Sequence, residues 1–396
     1  MLRPNRIFGV LCLASAVTFV AFAYWARTRV ADVTVEVTKG EAPLPPASPI
    51  TSSSADAMAP PSAAEASGAK AGPRSSSPGR TAASSNVQNN PVKQIFFRYN
   101  GVDSHYGRLA FVQHERPEQP QFIDALSCEV AHVAGGRGIC LAASRGVFTT
   151  YSAKLFDAKT FQTLAQFPLK GVPSRCRVSA DGKVAALTVF VSGHSYASLD
   201  FSTQTLLIDV ENARIIADLE EFSVFRDGQP FSRRDFNFWG VTFTPDGRHF
   251  YATLSTNRQH FLVKGDIAKR SATVVHDNVE CPSLSPNAAR VAYKRRLVVE
   301  GRVFWQLHIL DLITGRETPL AEKRSVDDQL EWLDNDYVLY SLPENTGGPS
   351  ASTNVWVAAA DGVTAPKLFL RKAYSPSVVP LLQPARAAPG KSGKAQ

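Results

Sequence analysis

Eight histidines are scattered along this 396-residue chain, and their spacing limits the chemistry they could do. No His-x-His or His-Glu-x-x-His pair occurs, so no local pair is placed to hold zinc. Cys128, Cys140, Cys176 and Cys281 include no Cys-x-x-Cys, which argues against a metal or dithiol redox site. Four cysteines allow three disulfide pairings, and spacing does not choose among them; buried free thiols suit the same positions. Val191-Ser192-Gly193-His194-Ser195 gathers hydroxyls around an imidazole. It is not a Gly-x-Ser-x-Gly elbow, and it sits between two strands rather than between strand and helix. Asp181, Asp246 and Asp334 are acids at equivalent places, each where a carboxylate would cap a tight turn, and that role accounts for them without catalysis. The expectation is no catalytic residue, no metal ligand and no cofactor.

The residue types that remain suit recognition. Phe222 to Phe238 mixes Phe225, Phe231 and Phe236 with Arg226, Arg233 and Arg234. Aromatic anchors beside forked guanidinium donors are the composition of binding hot spots. The competing expectation is that these rings fold back onto the scaffold. A second stretch, Phe190 to Phe201, carries His194 and Tyr196. If the two stretches lie on one side of the scaffold, they form one patch, and these eight residues are the expected partner contacts.

A recurring unit must position them. Ser179-Ala180-Asp181-Gly182 precedes Val184-Ala185-Ala186-Leu187, Thr244-Pro245-Asp246-Gly247 precedes His249-Phe250-Tyr251-Ala252, and Ser285-Pro286-Asn287-Ala288 precedes Arg290-Val291-Ala292-Tyr293. Looser copies start near Ser104, Ala134 and Asp334. Pro presets φ, Asp or Asn caps the turn, Gly accepts positive φ, and the apolar run that follows needs a sheet. A second signal follows: an apolar strand ends at Asp157, Asp209, Asp266, Asp311 or Asp361, then turns back, best seen at Asp311-Leu312-Ile313-Thr314-Gly315. Two hairpins per unit make a four-stranded antiparallel sheet, and the spacing suits one propeller blade. Six turns predict an all-β, six-bladed β-propeller of four-stranded antiparallel blades. Blade one is one strand short, and Ser375–Val379 is expected to complete it and close the ring.

The Ser-Pro-Asp-Gly turn, the apolar strand and the later Asp-x-x-Thr-Gly resemble the repeat of TolB-like β-propellers over about residues 95–380. The resemblance implies a propeller. It does not imply TolB's partner contacts, because the small α/β domain that precedes TolB's propeller has no counterpart in this sequence.

The domain expectations are 1–28 as a signal-anchor or transmembrane segment, 29–92 as a disordered Ser/Ala/Pro-rich linker, 93–381 as the propeller and 382–396 as a disordered basic tail. Ile7 to Trp25 is long and apolar enough to span a bilayer, with Tyr24-Trp25 at the interface; cleavage after Ala21-Phe22-Ala23 is the alternative. Either places the propeller outside the cytoplasm, and the anchor implies a single-pass protein of the inner membrane with its propeller in the periplasm. The net charge of +8 comes from the ends, since residues 93–370 hold as many Asp/Glu as Lys/Arg. With no aromatic-and-basic stripe, nucleic acid is not expected as a partner. The expected function is a membrane-tethered binding or scaffold module for a protein, peptide or glycan of the cell envelope. The alternative is a propeller enzyme, lactonase-like or glycan-cleaving, with its site at the channel mouth. Three or more convergent carboxylates or histidines there would favour the alternative.

Overall fold

The structure is a computed structural model, and it describes residues 93–197, 201–344 and 352–380. The expected membrane segment, the linker up to residue 92 and the basic tail lie outside the described residues. Among the described residues no helix is long and apolar enough to cross a membrane.

Six sheets follow one another along the chain, each with four antiparallel blade strands. Blade one contains β1 (Lys93–Tyr99), β2 (Arg108–Gln113) and β3 (Arg116–Ser127); blade two β4 (Val130–Ala134), β5 (Arg137–Ser144), β6 (Thr150–Asp157) and β7 (Thr163–Leu169). Blade three contains β8 (Val172–Val178), β9 (Val184–Ser192), β10 (Ser202–Asp209) and β11 (Arg214–Asp218). A short hairpin, β12 (Ser223–Arg226) and β13 (Gln229–Phe231), precedes blade four: β14 (Asn237–Phe243), β15 (His249–Thr256), β16 (Gln259–Asp266) and β17 (Ser271–Asp277). Blade five contains β18 (Glu280–Leu284), β19 (Arg290–Val299), β20 (Arg302–Asp311) and β21 (Glu317–Pro319). Blade six contains β22 (Glu331–Trp332), β23 (Tyr337–Pro343), β24 (Thr353–Ala359) and β25 (Lys367–Leu370). The last strand, β26 (Ala373–Pro380), pairs with β1 and becomes the innermost strand of blade one. The expected six blades and the closing C-terminal strand are both present, and closure covers the inner edge of β1.

The turn residues act as their chemistry dictates. Asp181 Oδ1 accepts from Ser179 Oγ at 2.6 Å and Lys183 N at 3.1 Å, and Asp246 Oδ1 accepts from Thr244 Oγ1 and Arg248 N. Asn287 does the same with Ser285 Oγ and Ala289 N. Gly182 sits at φ 74°, and its turn packs so tightly on Gly135 of blade two that a Cβ on either would collide with backbone. Asp311 accepts from Ile313 N, Thr314 N and Thr314 Oγ1, and Asp157 and Asp361 cap their own hairpins in the same way.

The core lies between neighbouring sheets. Ile139, Leu141 and Leu155 of blade two pack on Val178, Leu187 and Ile208 of blade three, and Leu307 and Ile309 of blade five pack on Val338 and Tyr340 of blade six. Each fully buried side chain of this size contributes roughly 1.5–3 kcal/mol of hydrophobic stabilisation. Cys128 and Cys140 are joined by a disulfide, while Cys176 and Cys281 are free and buried.

This topology defines two faces. The Asp-containing turns, between first and second and between third and fourth strands, share the turn face. The remaining connections share the opposite, loop face. Lys93 pairs with Pro380, and Lys93 Nζ reaches Asp334 Oδ2, on a blade-six turn, at 3.4 Å. Both described ends of the propeller therefore leave from the turn face.

Candidate functional site

Innermost strands carry side chains into the central channel, and here they are charged. Arg175 and Arg177 come from β8, His132 from β4 and Glu280 from β18, and Lys294 joins them from β19, the second strand of blade five. The connection from blade five to β22 enters the channel and adds Asp327, Asp328 and Gln329, with Glu331 following on β22. Arg177 pairs with Glu331 and donates to Leu330 O at 3.0 Å; His132 Nδ1 accepts from Val178 N at 3.1 Å, and its Nε2 lies 3.7 Å from Glu331. Lys294 pairs with Asp327 and lies 3.7 Å from Glu280; Arg175 reaches Asp327 at 3.5 Å.

Burial and pairing pull these groups in opposite directions. Burial pushes the Glu331 carboxyl up, but Arg177 and then His132 outweigh it and hold it at about 2. Desolvation opposes ionisation of Asp327, whose side chain is still 36% exposed, yet Lys294 and Arg175 keep it below the ordinary carboxylate value. Burial alone raises Asp328, against weaker opposition from Arg175, and it lowers His132. Burial also raises the Cys176 thiol to about 12, which leaves it protonated and unreactive.

Four carboxyl groups, Glu280, Asp327, Asp328 and Glu331, and one histidine therefore converge, and Asp327 and Glu331 are engaged by cations. On the loop face the channel is covered by Tyr196, whose hydroxyl lies 2.5 Å from Ser174 Oγ. The Tyr196 ring stacks on Trp239 at 4.8 Å, and Lys294 Nζ sits 4.9 Å from its centroid. Arg296 holds the Tyr196 carbonyl at 2.8 Å. Tyr196 is buried, so it braces the channel mouth and is not available as a surface contact; His194 beside it is exposed.

The 222–238 connection is more ordered than its sequence suggests. Leu219–Glu221 form a single 3-10 turn, then β12 and β13 close around Asp227 and Gly228, both at positive φ, the geometry of a two-residue hairpin turn. β12 adds in parallel to β17, the outermost strand of blade four, which extends that sheet to six strands. Phe222 and Val224 are buried, and Phe231 and Phe236 pack half-buried on the same core. Phe225 is half-buried too. Arg226 lies 4.9 Å over the Phe261 ring and 3.6 Å from Asp277. Arg233 and Arg234 are exposed, with Arg233 over Phe231 at 5.2 Å. On the return path, Asp235 accepts from Thr256 Oγ1 and Asn257 N, both at 2.6 Å.

The hairpin thus lies at the rim, four to five strands from β14, or roughly 20–25 Å at ordinary strand spacing. The expected single patch with the 190–201 loop does not form among the described residues: there Tyr196 turns inward over the channel while His194 stays exposed. The rings go mostly to packing, and the guanidinium groups of Arg233 and Arg234 remain presented.

Sequence reasoning missed the exposed apolar tips of the loop face. Val147 is 95% exposed, Phe148 83% and Val298 70%, and Val102, Val191 and Val299 are exposed on the same face. The β19–β20 ladder runs unbroken from Arg290↔Asp311 to Val299↔Arg302, and its tip carries Val298 and Val299. On the turn face, exposed Ile313 and Val363 occupy the same position of two equivalent Asp-capped turns, where the turn itself requires exposure.

No protein-family model matches the sequence, and a search of curated proteins gave no match. Solved structures with a similar chain path do exist. TolB from Acinetobacter baumannii aligns at 16% identity with a TM-score of 0.50, over 73% of this chain and 66% of that one. The chain thus spans just under two thirds of that protein's length. A putative TolB from Agrobacterium tumefaciens aligns at 9% identity and TM-score 0.41, over 71% and 89% of the two chains. A chain of a nidogen/laminin complex aligns at 10% and 0.47, over 72% and 98%. At such identities the likeness concerns the fold. The six sheets, the Asp-capped turns and closure by β26, with the likeness to the Acinetobacter TolB, show that this chain has a six-bladed β-propeller fold like that of the TolB propeller.

Proposed function

We propose that this protein is a non-catalytic binding or scaffold module that receives a protein, peptide or glycan partner of the cell envelope on its loop face. The observation that carries this reading is the asymmetry of the two faces. Both ends of the propeller leave from the turn face, while the opposite face presents Val147, Phe148, Val298 and Val299 on projecting tips. Apolar tips from separate blades are costly to leave in water and suit a partner that covers them. Arg233 and Arg234 stand at the rim with forked donors for carboxylates. The membrane attachment belongs to the same proposal: residues 7–25 anchor the chain in the inner membrane, and the Ser/Ala/Pro-rich linker holds the propeller in the periplasm.

The convergence of Asp327, Asp328, Glu331 and His132 favours a second reading, a propeller enzyme of the lactonase or glycan-cleaving type. The ion pairs of Asp327 and Glu331, and the Tyr196 cover, weigh against it. Affinity capture from membranes separates the two. A partner retained by wild type and lost on Arg233→Ala with Arg234→Ala supports the binding reading. Hydrolysis abolished by Glu331→Gln or Asp328→Asn, with no partner retained, overturns it.

A further inference from the structure

A cavity of about 20 Å3 lies inside the channel, lined by His132, Arg175, Arg177, Asp328, Gln329 and Tyr374 among others. It has room for one occupant the size of a water molecule or a monatomic ion. Two of its lining groups are unusual. The Nε–H of Arg175 and the Nε–H of Arg177 are buried, and neither has a partner among the described residues. Both residues are more than nine-tenths buried. Their other guanidinium nitrogens are spoken for: Arg175 Nη1 donates to Ser174 O and its Nη2 faces Asp327, while Arg177 Nη1 and Nη2 meet Glu331 and Leu330 O. Leaving two charged donors unpaired in a dry site is costly, and buried polar groups in native proteins are almost always satisfied.

We propose that the cavity binds a monatomic anion of halide size, held by Arg175 Nε and Arg177 Nε. The balance of the wall favours an acceptor-only guest. Gln329 spends its amide donors on Val241 O and Pro282 O. His132 Nδ1 is already used by Val178 N. Asp328 is the one carboxyl on the cavity wall; its Oδ2 accepts from Ser341 N at 2.7 Å, and burial favours its neutral, donating form. A water molecule would need acceptors for two hydrogens where the wall offers mainly donors.

The test is a crystal grown in bromide in place of chloride, paired with melting curves in which gluconate replaces chloride at constant ionic strength. An anomalous peak between the two Nε atoms is expected, together with a lower melting temperature in gluconate, because an ion that binds only the folded state stabilises it. Arg175→Lys keeps a cation near Asp327 but has no Nε–H; it should lose both the peak and the chloride effect. Cavity density without anomalous signal overturns the proposal. So does a bromide peak that Arg175→Lys leaves unchanged. A peak with no chloride effect in solution means an adventitious ion only, and overturns it as well. Should Arg175→Lys not fold, the wild-type crystal and the two wild-type melting curves decide the question by themselves.

Discussion

Lys93 and Pro380 face each other across the β1–β26 seam, so the first and last described residues of the propeller lie side by side on the turn face. This pairing sets what each face is free to do. Segments that continue beyond either described end start from the turn face.

The seam also makes a stability prediction. β26 supplies Ser375 Oγ to Ala131 O at 2.9 Å and Ser377 Oγ to Val133 N at 3.2 Å, which ties blade one to blade two. Truncation after Leu370 exposes the inner edge of β1 and should abolish cooperative unfolding, read by calorimetry. Truncation after Pro380 should leave the melting transition unchanged.

Phe222 and Phe231 separate packing from presentation in the blade-four connection. Phe222 is buried, so Phe222→Ala should cost about 3 kcal/mol or more. Phe231 is half-buried at the rim, so Phe231→Ala should cost only about 1–2 kcal/mol. Arg233→Ala with Arg234→Ala should leave stability within about 0.5 kcal/mol. Denaturant titration of the three variants checks all of these.

Glu331 predicts an acid-sensitive step. Its folded pKa is depressed to about 2, so the stabilisation it contributes is present above the ordinary carboxylate range and is lost as pH falls through about 2. Glu331→Gln should destabilise the protein by about 3–5 kcal/mol at pH 7, because Arg177 is left buried and unpaired. The gap to wild type should narrow between about pH 4.5 and pH 2. Equal melting temperatures at pH 7 would show that the pair contributes nothing.

Glu220 predicts the opposite slope. Burial, then Asp218, raises its carboxyl to about 9, while Thr205 N and Phe238 N donate to it at 3.0 and 3.3 Å. A raised carboxyl gives stability that is fully present below its unfolded pKa and fades as pH rises toward about 9. Glu220→Gln should therefore match wild type near pH 4 and exceed it near pH 8, by up to about 4–5 kcal/mol. Melting curves at the two pH values read this directly.

The blades were legible because their turn chemistry is local. Asp181, Asp246 and Asn287 cap turns within a few residues, and the apolar run that follows each is continuous. The β12–β13 hairpin also had a local signal, Asp227-Gly228 between Val224-Phe225-Arg226 and Gln229-Pro230-Phe231, the dipeptide suited to a two-residue turn. It was overlooked because β12 joins β17 in parallel, a pairing that no sequence period announces. The first strand of blade three, β8, begins at Val172 and carries no apolar run before its turn. Its Ser174, Arg175 and Arg177 face the channel, so the usual alternation of apolar and polar residues is missing. The charged channel was illegible for a related reason: Arg177 and Glu331 meet from blades three and six, and only ring closure brings them together.

The central claim is that the partner docks on the loop face. It is tested most directly by photo-crosslinking in membranes, with the crosslinking residue placed at Phe148, Val298 or Arg234 on the loop face and at Ile313 or Val363 on the turn face. The account predicts one discrete adduct shared by the three loop-face positions and none from the two turn-face positions. An adduct from Ile313 or Val363 alone, or none from any loop-face position, would contradict it.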